Sequence, residues 1–380
     1  MNVNNLQQIF NHYVEQFDRI NGPEHGETYK WQIAKMFRPM MDDALAVEDK
    51  KLPGKLAEIK KMTCNVIDNY TTPFGGLCKF AEKEPATVRS MFVQLFKDDK
   101  GDLDERQKRV EQFLAQSHEL KDRYFPGSYL YDDDMHSVTA YMALYDPDHN
   151  YIFKSSHASI FADCVEFYGD WGSGDTVKLA VYYQMCDEIV AAIKKNADVL
   201  NANARRFAGD FCDPSTLYED PDYHILAFDL IYCCSTYGLF DGISFSRPKA
   251  KDRQLLQSNR EKAIALAEQL ATAQKDYEDL ADAKRFALSL FKNGQKIQHK
   301  TYGEGTIAEL NENLMTVDFA SVGSKKLSIF ITVANGLVAF STKQSDEMVD
   351  RYKQLLGKES GIKAKLTVAE KELEPYKGYL

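Results

Sequence analysis

The sequence predicts a mainly α-helical protein, in which a large helical N-terminal domain is followed by an antiparallel coiled-coil hairpin carrying a small β-barrel. Apolar residues recur at spacings of three and four through most of the first 250 residues. Two heptad ladders flank a segment of short, alternating strand patterns. The predicted segments are 1–250 (helical domain), 251–291 (coiled-coil helix), 292–340 (barrel) and 343–377 (returning coiled-coil helix).

Composition indicates a folded cytoplasmic protein. Hydrophobic residues make up 44% of the chain, enough for a sizeable core, and the formal charge of −10 disfavours attraction of the whole surface to nucleic acid or anionic membrane. The seven cysteines form no C-x-x-C pair and are expected to be free thiols in a reducing compartment. The N-terminus lacks signal-peptide features, and no run approaches the roughly 18 apolar residues of a membrane span.

Periodicity predicts the helices of the first domain, beginning with an amphipathic helix from Leu6 to Ile20. Thr71–Gly76 is predicted to break or kink the chain, because it contains one proline and two glycines. A serine, Ser155 or Ser156, is expected to cap the helix over 153–168. The remaining predicted helices cover 28–46, 56–70, 86–97, 103–124, 136–144, 176–196 and 223–237.

The two heptad ladders predict a pair of long helices. The first ladder extends from Ala263 to Ala287 and the second from Met348 to Tyr376, each over three to four heptads. An antiparallel hairpin with the barrel at its far end is the economical arrangement, because the ends of a compact inserted domain lie close together. Glu359, between two glycines, predicts a weak point in the second helix. Two alternatives remain open: each helix packs on the large domain, or the second helix pairs across a homodimer.

Residues 292–340 predict an SH3-like barrel, because several short strands fall within about fifty residues. The first strand is expected over 296–299, and Tyr302–Gly305 is expected to be a glycine-containing turn. Further strands are predicted over 306–310, 314–319 and 325–329.

This segment also resembles a known module. The pattern Ile297-x-His299-x-x-Tyr302-Gly303-x-Gly305-x-Ile307, followed by Val317-Asp318-Phe319 and Gly323-x-Lys325-Lys326-Leu327, is similar to the Tudor-like barrel at the C-terminus of UvrD-type helicases. The helicase motor itself is not expected, since no phosphate-binding G-x-x-x-x-G-K-[ST] motif occurs.

The resemblance implies contacts with RNA polymerase and with nucleic acid. The residues that it places near the contact surface are His299, Lys300, Tyr302, Lys325 and Lys326. A structural role is the alternative for each residue: Tyr302 and Phe319 belong to a core, and the two adjacent lysines solvate an edge strand. A second resemblance, to the helical N-terminal regions of bacterial restriction and phage-defence proteins, is carried by Leu144–Tyr151 and Tyr223–Leu226. It implies antiviral defence or a DNA transaction as the setting.

The strongest candidate for catalysis is a polar cluster between residues 132 and 149. Asp132, Asp134, His136 and His149 offer the carboxylates and imidazoles that divalent metals accept. The alternative is an exposed turn, Asp132–Asp134, that caps the following helix.

Two other candidates have structural alternatives as well. His224 is either a general base or a histidine at the start of an apolar helix, and Cys233 and Cys234 are either nucleophiles paired with it or buried, inert thiols.

The sequence therefore favours a non-enzymatic adaptor with no cofactor and no metal. Its expected partner is a protein of the transcription, DNA-processing or defence machinery, bound through the barrel, or nucleic acid bound through Lys300, Lys325 and Lys326. The runner-up function is a metal-dependent hydrolase or nuclease using the cluster at 132–149. A third hypothesis makes the helical domain a sensor or inhibitor of a phage or defence component.

Overall fold

The computed structural model describes residues 1–63, 66–67 and 71–380. The protein is mostly helical and has a small four-stranded antiparallel sheet near its C-terminus. This confirms the prediction of a mainly α protein. The chain divides into two compact units, Met1–Gln254 and Leu255–Leu380.

The first unit is built from helices around one extended hydrophobic core. Among its packed pairs are α3 with α4 and α8, α9 with α12, and α1 with α11. The helices are α1 (Val3–Glu15), α2 (Phe17–Asn21), α3 (Tyr29–Ala46), α4 (Leu52–Thr63), α5 (Pro73–Ala81), α6 (Pro85–Leu95), α7 (Leu103–Tyr124), α8 (Met135–Tyr145), α9 (Ser155–Cys164), α10 (Leu179–Ile193), α11 (Ala197–Ala208) and α12 (His224–Thr236), with 3₁₀ turns at Asp49–Lys51, Gly174–Thr176 and Pro214–Thr216. The long helix α13 (Ala250–Ser289) begins near the end of this unit.

The predicted break at Thr71–Gly76 is present at Thr71 and Thr72, which lie outside the helices, whereas its last four residues are the start of α5. Pro73 occupies the first turn, where its missing N–H has no intrahelical partner to lose. The glycines serve packing as well: a Cβ on Gly76 would lie 2.7 Å from the Cβ of Tyr131. The helix predicted over 56–70 is present as α4 up to Thr63, and positions 64–65 and 68–70 lie outside the described residues.

Other helix predictions need correction at their ends. The helix predicted over 176–196 ends at Ile193, and a helix that was not predicted, α11, follows at once. Asn196 separates the two, and its side chain accepts a hydrogen bond from the backbone N–H of Val199. The N-cap of α9 is Lys154, without a side-chain cap, and so neither predicted serine caps this helix.

In the second unit the C-terminal part of α13 is followed by the sheet and then by more helices. The strands are β1 (Lys296–His299), β2 (Gly303–Asn311), β3 (Leu314–Phe319) and β4 (Gly323–Ser328), and the helices are α14 (Ile329–Ala334), α15 (Asp346–Gly357) and α16 (Glu359–Leu373), ending in a 3₁₀ segment, Glu374–Tyr379. The break between α15 and α16 falls at Lys358, as the prediction of a weak point at Glu359 requires. Both ends of two strands differ from prediction. β2 runs from Gly303 to Asn311, and β4 begins at Gly323 and ends at Ser328, so that Ile329 begins α14 instead of ending a strand.

The sheet and the helices of this unit share one hydrophobic core. Ile297, Ile307, Met315, Val317 and Phe319 from the strands pack in the same cluster as residues of α13, α14, α15 and α16. Burial of this apolar surface holds the sheet to the helices. The sheet is therefore covered by helices on one face.

Two further expectations concern the free thiols and the lack of a membrane-spanning segment. Cys164, Cys186, Cys233 and Cys234 are buried free thiols and Cys212 is a half-buried one, whereas Cys64 lies outside the described residues. None of the helices in the described ranges combines the length and the apolar character needed to cross a membrane.

Candidate functional site

The strand register divides the residues of the sheet between two faces. Neighbouring strands are antiparallel in the order β1-β2-β3-β4, and residues directly opposite each other share a face. The inner face, packed on the helices, includes the opposed pairs Ile297–Gly305 and Ile307–Val317. The outer face includes the pairs Thr306–Asp318 and Thr316–Lys326. A binding surface on this sheet must use the outer face or an edge.

His299 lies in the core of the sheet, with only 3% of its surface exposed. Its Nδ1 accepts hydrogen bonds from the backbone N–H groups of Thr301 and Tyr302, at 3.1 and 3.3 Å. The imidazole stacks on the Tyr302 ring with 4.7 Å between centroids, and burial lowers its pKa. A neutral His299 therefore fixes the turn between β1 and β2, and a partner has little access to it.

Tyr302 and Lys300 occupy that same turn. Tyr302 is half-buried, and its ring also packs against Phe319 at a centroid distance of 5.3 Å. Lys300 is exposed, and its backbone N–H donates to the carbonyl of Leu337 at 2.8 Å. Of the three predicted residues in this turn, only the lysine side chain is freely presented.

Lys325 and Lys326 are both exposed on β4 but do not form one patch. Lys326 lies opposite Thr316 on the outer face, whereas Lys325 lies opposite Val317 on the inner-face side, at the border of the sheet. Successive residues of a strand point to opposite faces. The two lysines therefore flank the edge of β4, one on each side.

Sequence reasoning missed the carboxylates that share the outer face with Lys326. The register places Glu304, Glu309 and Asp318 on this face, together with Lys296. Three carboxylates thus accompany two lysines, and the face is not basic. Because every second residue of a strand faces the same side of the sheet, the alternation in the sequence was sufficient to assign these carboxylates to one face.

The four residues of the predicted metal cluster have separate partners. Asp132 pairs with Lys121 at 3.1 Å, and Asp134 caps α8 in a capping box with Ser137. His149 is exposed and contacts Asp146 at 3.0 Å. In the described part of the chain, no group of three or more His, Cys, Asp or Glu side chains is arranged to hold a metal ion.

His136, the fourth member, is half-buried, with its Nε2 shielded from solvent. Burial, together with the charge of Lys154, lowers its pKa to about 4, and the charge of Asp134 partly opposes this shift. The expected exposed turn needs one correction, since Asp133 is buried and accepts hydrogen bonds from Ser117, Ser137 and Tyr141.

The other catalytic candidates also have structural partners. His224 is half-buried, and its ring lies over Tyr151 with 4.1 Å between centroids. The thiol of Cys233 donates to Asp229 at 3.5 Å, and burial raises its pKa well above the usual range. The pKa of Cys234 is raised by its interaction with the Cys164 thiol and by burial. These thiols therefore have other partners than His224, and the nucleophile hypothesis has no support in the contacts.

A buried ion cluster in the first unit was not predicted. Asp229 on α12 contacts Lys30 on α3 and Arg206 on α11, and all three side chains are at most 2% exposed. Glu27 also contacts Lys30, at 2.7 Å. Paired and hydrogen-bonded charges of this kind tie helices together. The one sequence feature that could have indicated this cluster was a single aspartate, Asp229, inside an otherwise apolar helix.

Comparison with known proteins yields no relative for this chain. It matches no protein-family model, and no curated protein or solved structure matches it significantly.

Proposed function

We propose that the protein is a non-enzymatic adaptor whose second unit binds a protein of the transcription, DNA-processing or defence machinery through the edge of β4. In this proposal residues 292–340 form a Tudor-like barrel, as the motif around His299 implies. The helices on either side form the coiled-coil hairpin.

The observation that carries the proposal is the open edge of the sheet. β4 pairs with β3 on one side, and within the described ranges no strand pairs with its other side. Residues 323–326 of β4 are all exposed. An exposed edge offers backbone N–H and C=O groups to an extended segment of a partner. The flanking Lys325 and Lys326 favour an acidic segment.

The charges of the sheet favour a protein partner over nucleic acid. Glu304, Glu309 and Asp318 outnumber Lys296 and Lys326 on the outer face. Nucleic acid binds through several lysine or arginine contacts to phosphates, and carboxylates beside them repel the backbone. A duplex would therefore gain little from this face, whereas a peptide added at the edge need contact only the two lysines.

The hairpin is supported by contacts between α13 and the last helices. Lys262 reaches the Tyr376 hydroxyl at 2.8 Å, and Lys284 pairs with Glu359 at 2.6 Å. Residues early in α13 thus meet the end of the chain and later ones meet α16, which is the antiparallel sense. Between these contacts lies a groove of about 710 Å³, lined mainly by small and polar side chains such as Ala265, Thr272 and Ala364.

The experiment uses surface substitutions in the full-length protein, because deletion of the sheet would expose the apolar faces of the helices that share its core. The double variant Lys325→Glu/Lys326→Glu reverses both charges at the edge. Its binding to purified bacterial RNA polymerase is compared with wild type by biolayer interferometry. We expect about tenfold weaker binding, from loss of charge complementarity.

A matched control is Lys371→Glu, an exposed lysine on α16 of the same unit. The control is expected to bind like wild type. A short DNA duplex at low salt is measured in parallel by fluorescence anisotropy. Equal polymerase binding by wild type and the double variant would rule out the β4 edge. If wild type binds the DNA duplex but not the polymerase, and the double variant no longer binds the duplex, the partner is nucleic acid and not a protein.

A further inference from the structure

A cleft of about 530 Å³ opens in the first unit beside the loop that joins α6 to α7. Side chains from α3, α7 and α8 complete its wall. This volume falls within the range of small-molecule sites. Of the residues that the sequence analysis singled out, His149 and part of the segment Leu144–Tyr151 line it.

The wall of the cleft is rich in cations. Its basic side chains are Arg38, Lys97, Lys100, Arg106 and Arg109. Three aspartates also line it, which leaves a net charge of plus two. His149 at the same wall adds to this charge when protonated, and the hydrogen bond that its ring makes to Asp146 raises its pKa. The cleft is therefore a local basic region on an acidic protein.

The two central arginines differ in how far their N–H groups are satisfied. Arg106 donates from Nε and Nη2 to the two oxygens of Asp99, both at 2.8 Å, and from Nη1 to the carbonyl of His149. Arg109 also pairs with Asp99, through Nη2. Its Nε and Nη1 are buried without a hydrogen-bond partner among the described residues.

Unpaired guanidinium donors are unfavourable in a protein interior, because they have lost water and gained no acceptor. Burial accordingly lowers the pKa of Arg109. Asp99 is engaged by both arginines and by the backbone N–H of Gly101 at 2.9 Å, so its negative charge is already compensated. Because Arg109 lines the cleft, a molecule bound there can supply the missing acceptor.

Arg38 provides a second cation at the mouth of the cleft. Its guanidinium lies over the Tyr145 ring, 4.9 Å from the centroid, and this ring stacks on Phe96 with 3.9 Å between centroids. Tyr145 is further fixed by its hydrogen bond to Asp42 at 2.7 Å. The aromatic pair thus orients Arg38 while the side chain remains largely exposed to an incoming ligand.

We propose that this cleft binds a phosphorylated small molecule of nucleotide size, with Arg109 and Arg38 as phosphate ligands. Arginine forks match phosphate oxygens, which accept two parallel N–H donors. Phosphate oxygens would satisfy Nε and Nη1 of Arg109, and the remaining volume accommodates the rest of the ligand.

Isothermal titration calorimetry on the full-length protein tests the proposal with pyrophosphate, ATP and adenosine as probes. Pyrophosphate or ATP should bind and adenosine should not, and the stronger of the two anions tells a bare phosphate site from a nucleotide site. Arg109→Gln should weaken binding about ten- to hundredfold, the effect of losing hydrogen bonds to a charged group. Arg38→Gln should weaken it about two- to fivefold, as expected for an exposed charge.

Two further variants keep the result interpretable. Arg109→Lys retains a charge beside Asp99 but lacks the guanidinium fork, so it should fold normally and still bind weakly. Arg285→Gln removes an exposed arginine that pairs with Asp282 in the second unit, and it should bind like wild type. Absence of binding by both anions at millimolar concentration would overturn the proposal, as would equal binding by adenosine or undiminished binding by Arg109→Lys and Arg38→Gln.

Discussion

Asp229 is fully buried between two cations, and its replacement by asparagine is expected to destabilise the first unit strongly. Arg206 would keep only neutral partners: the Tyr13 hydroxyl at 2.6 Å, Asn21 at 3.0 Å and Asn203 at 2.7 Å. Lys30 would keep Glu27. Removing one partner of a buried ion pair costs about 3–5 kcal/mol. Because one cation stays compensated, we expect the lower end, about 3 kcal/mol, for Asp229→Asn.

Trp fluorescence isolates this effect, since the two tryptophans of the chain, Trp31 and Trp171, both lie in the first unit. Urea titration followed by this signal gives the free energy of unfolding. For a domain of this size, a loss of about 3 kcal/mol corresponds to a melting temperature lower by about 6–12 °C. The matched control is Asp210→Asn, which removes a half-exposed pair with Arg205 and should cost less than about 1 kcal/mol.

The pH dependence of unfolding gives an independent check that the ionised form of Asp229 stabilises the first unit. Burial raises the pKa of Asp229, but Lys30 and Arg206 lower it more, so the net shift is downward from 3.8. Stability from this group is thus complete above pH 3.8 and is lost as the pH falls through the lowered pKa. The difference between wild type and Asp229→Asn should shrink in that acidic range. The interpretation of Asp229 as the essential counter-charge would be refuted by one result. That result is a loss in the free energy of unfolding, measured by Trp fluorescence at neutral pH, of less than about 1 kcal/mol, the same as for the control.

Three further outcomes are expected. His136 has a folded pKa of about 4 against an ordinary 6.5, so wild type should lose roughly 3 kcal/mol relative to His136→Asn as the pH falls from 6.5 to below 4, measured by urea titration across pH. In the second unit, a Cβ on Gly305 would lie 2.6 Å from the Phe319 ring; Gly305→Ala should therefore cost about 1–3 kcal/mol by circular dichroism and leave the Trp transition unchanged. Glu359→Gln removes partly exposed pairs with Lys284 and Lys363, and its cost should stay below about 1 kcal/mol in the same assay.

Most helices with an apolar face were predictable from the sequence, whereas α11 was not. Its inward face carries Asn203 and Arg206, which are both buried. A periodicity search that counts apolar residues reads such a face as solvent-exposed. The partners that make these residues tolerable in the interior, Asp229 and Asn21, are distant in the chain. Long-range pairing of this kind leaves no local pattern.

The candidate site shows the same limit. Motif spacing was sufficient to predict the strands, because strand alternation is a local property. It placed the turn at Tyr302–Gly305, whereas the structure has the turn at 300–302 and begins β2 at Gly303. The burial of His299 depends on the helices that cover the inner face, which the motif does not contain. The cleft around Arg109 combines residues more than one hundred positions apart, from Arg38 to Asn150. No spacing rule could have brought them together.

The shared core of the second unit also constrains how such a module can be inherited. Residues 292–340 transferred alone would arrive with part of an apolar face uncovered, because α13, α15 and α16 lie outside that segment. The segment that keeps this face covered is the whole of Leu255–Leu380, helices included. In recombination, the helices would have to accompany the strands as part of the same heritable unit.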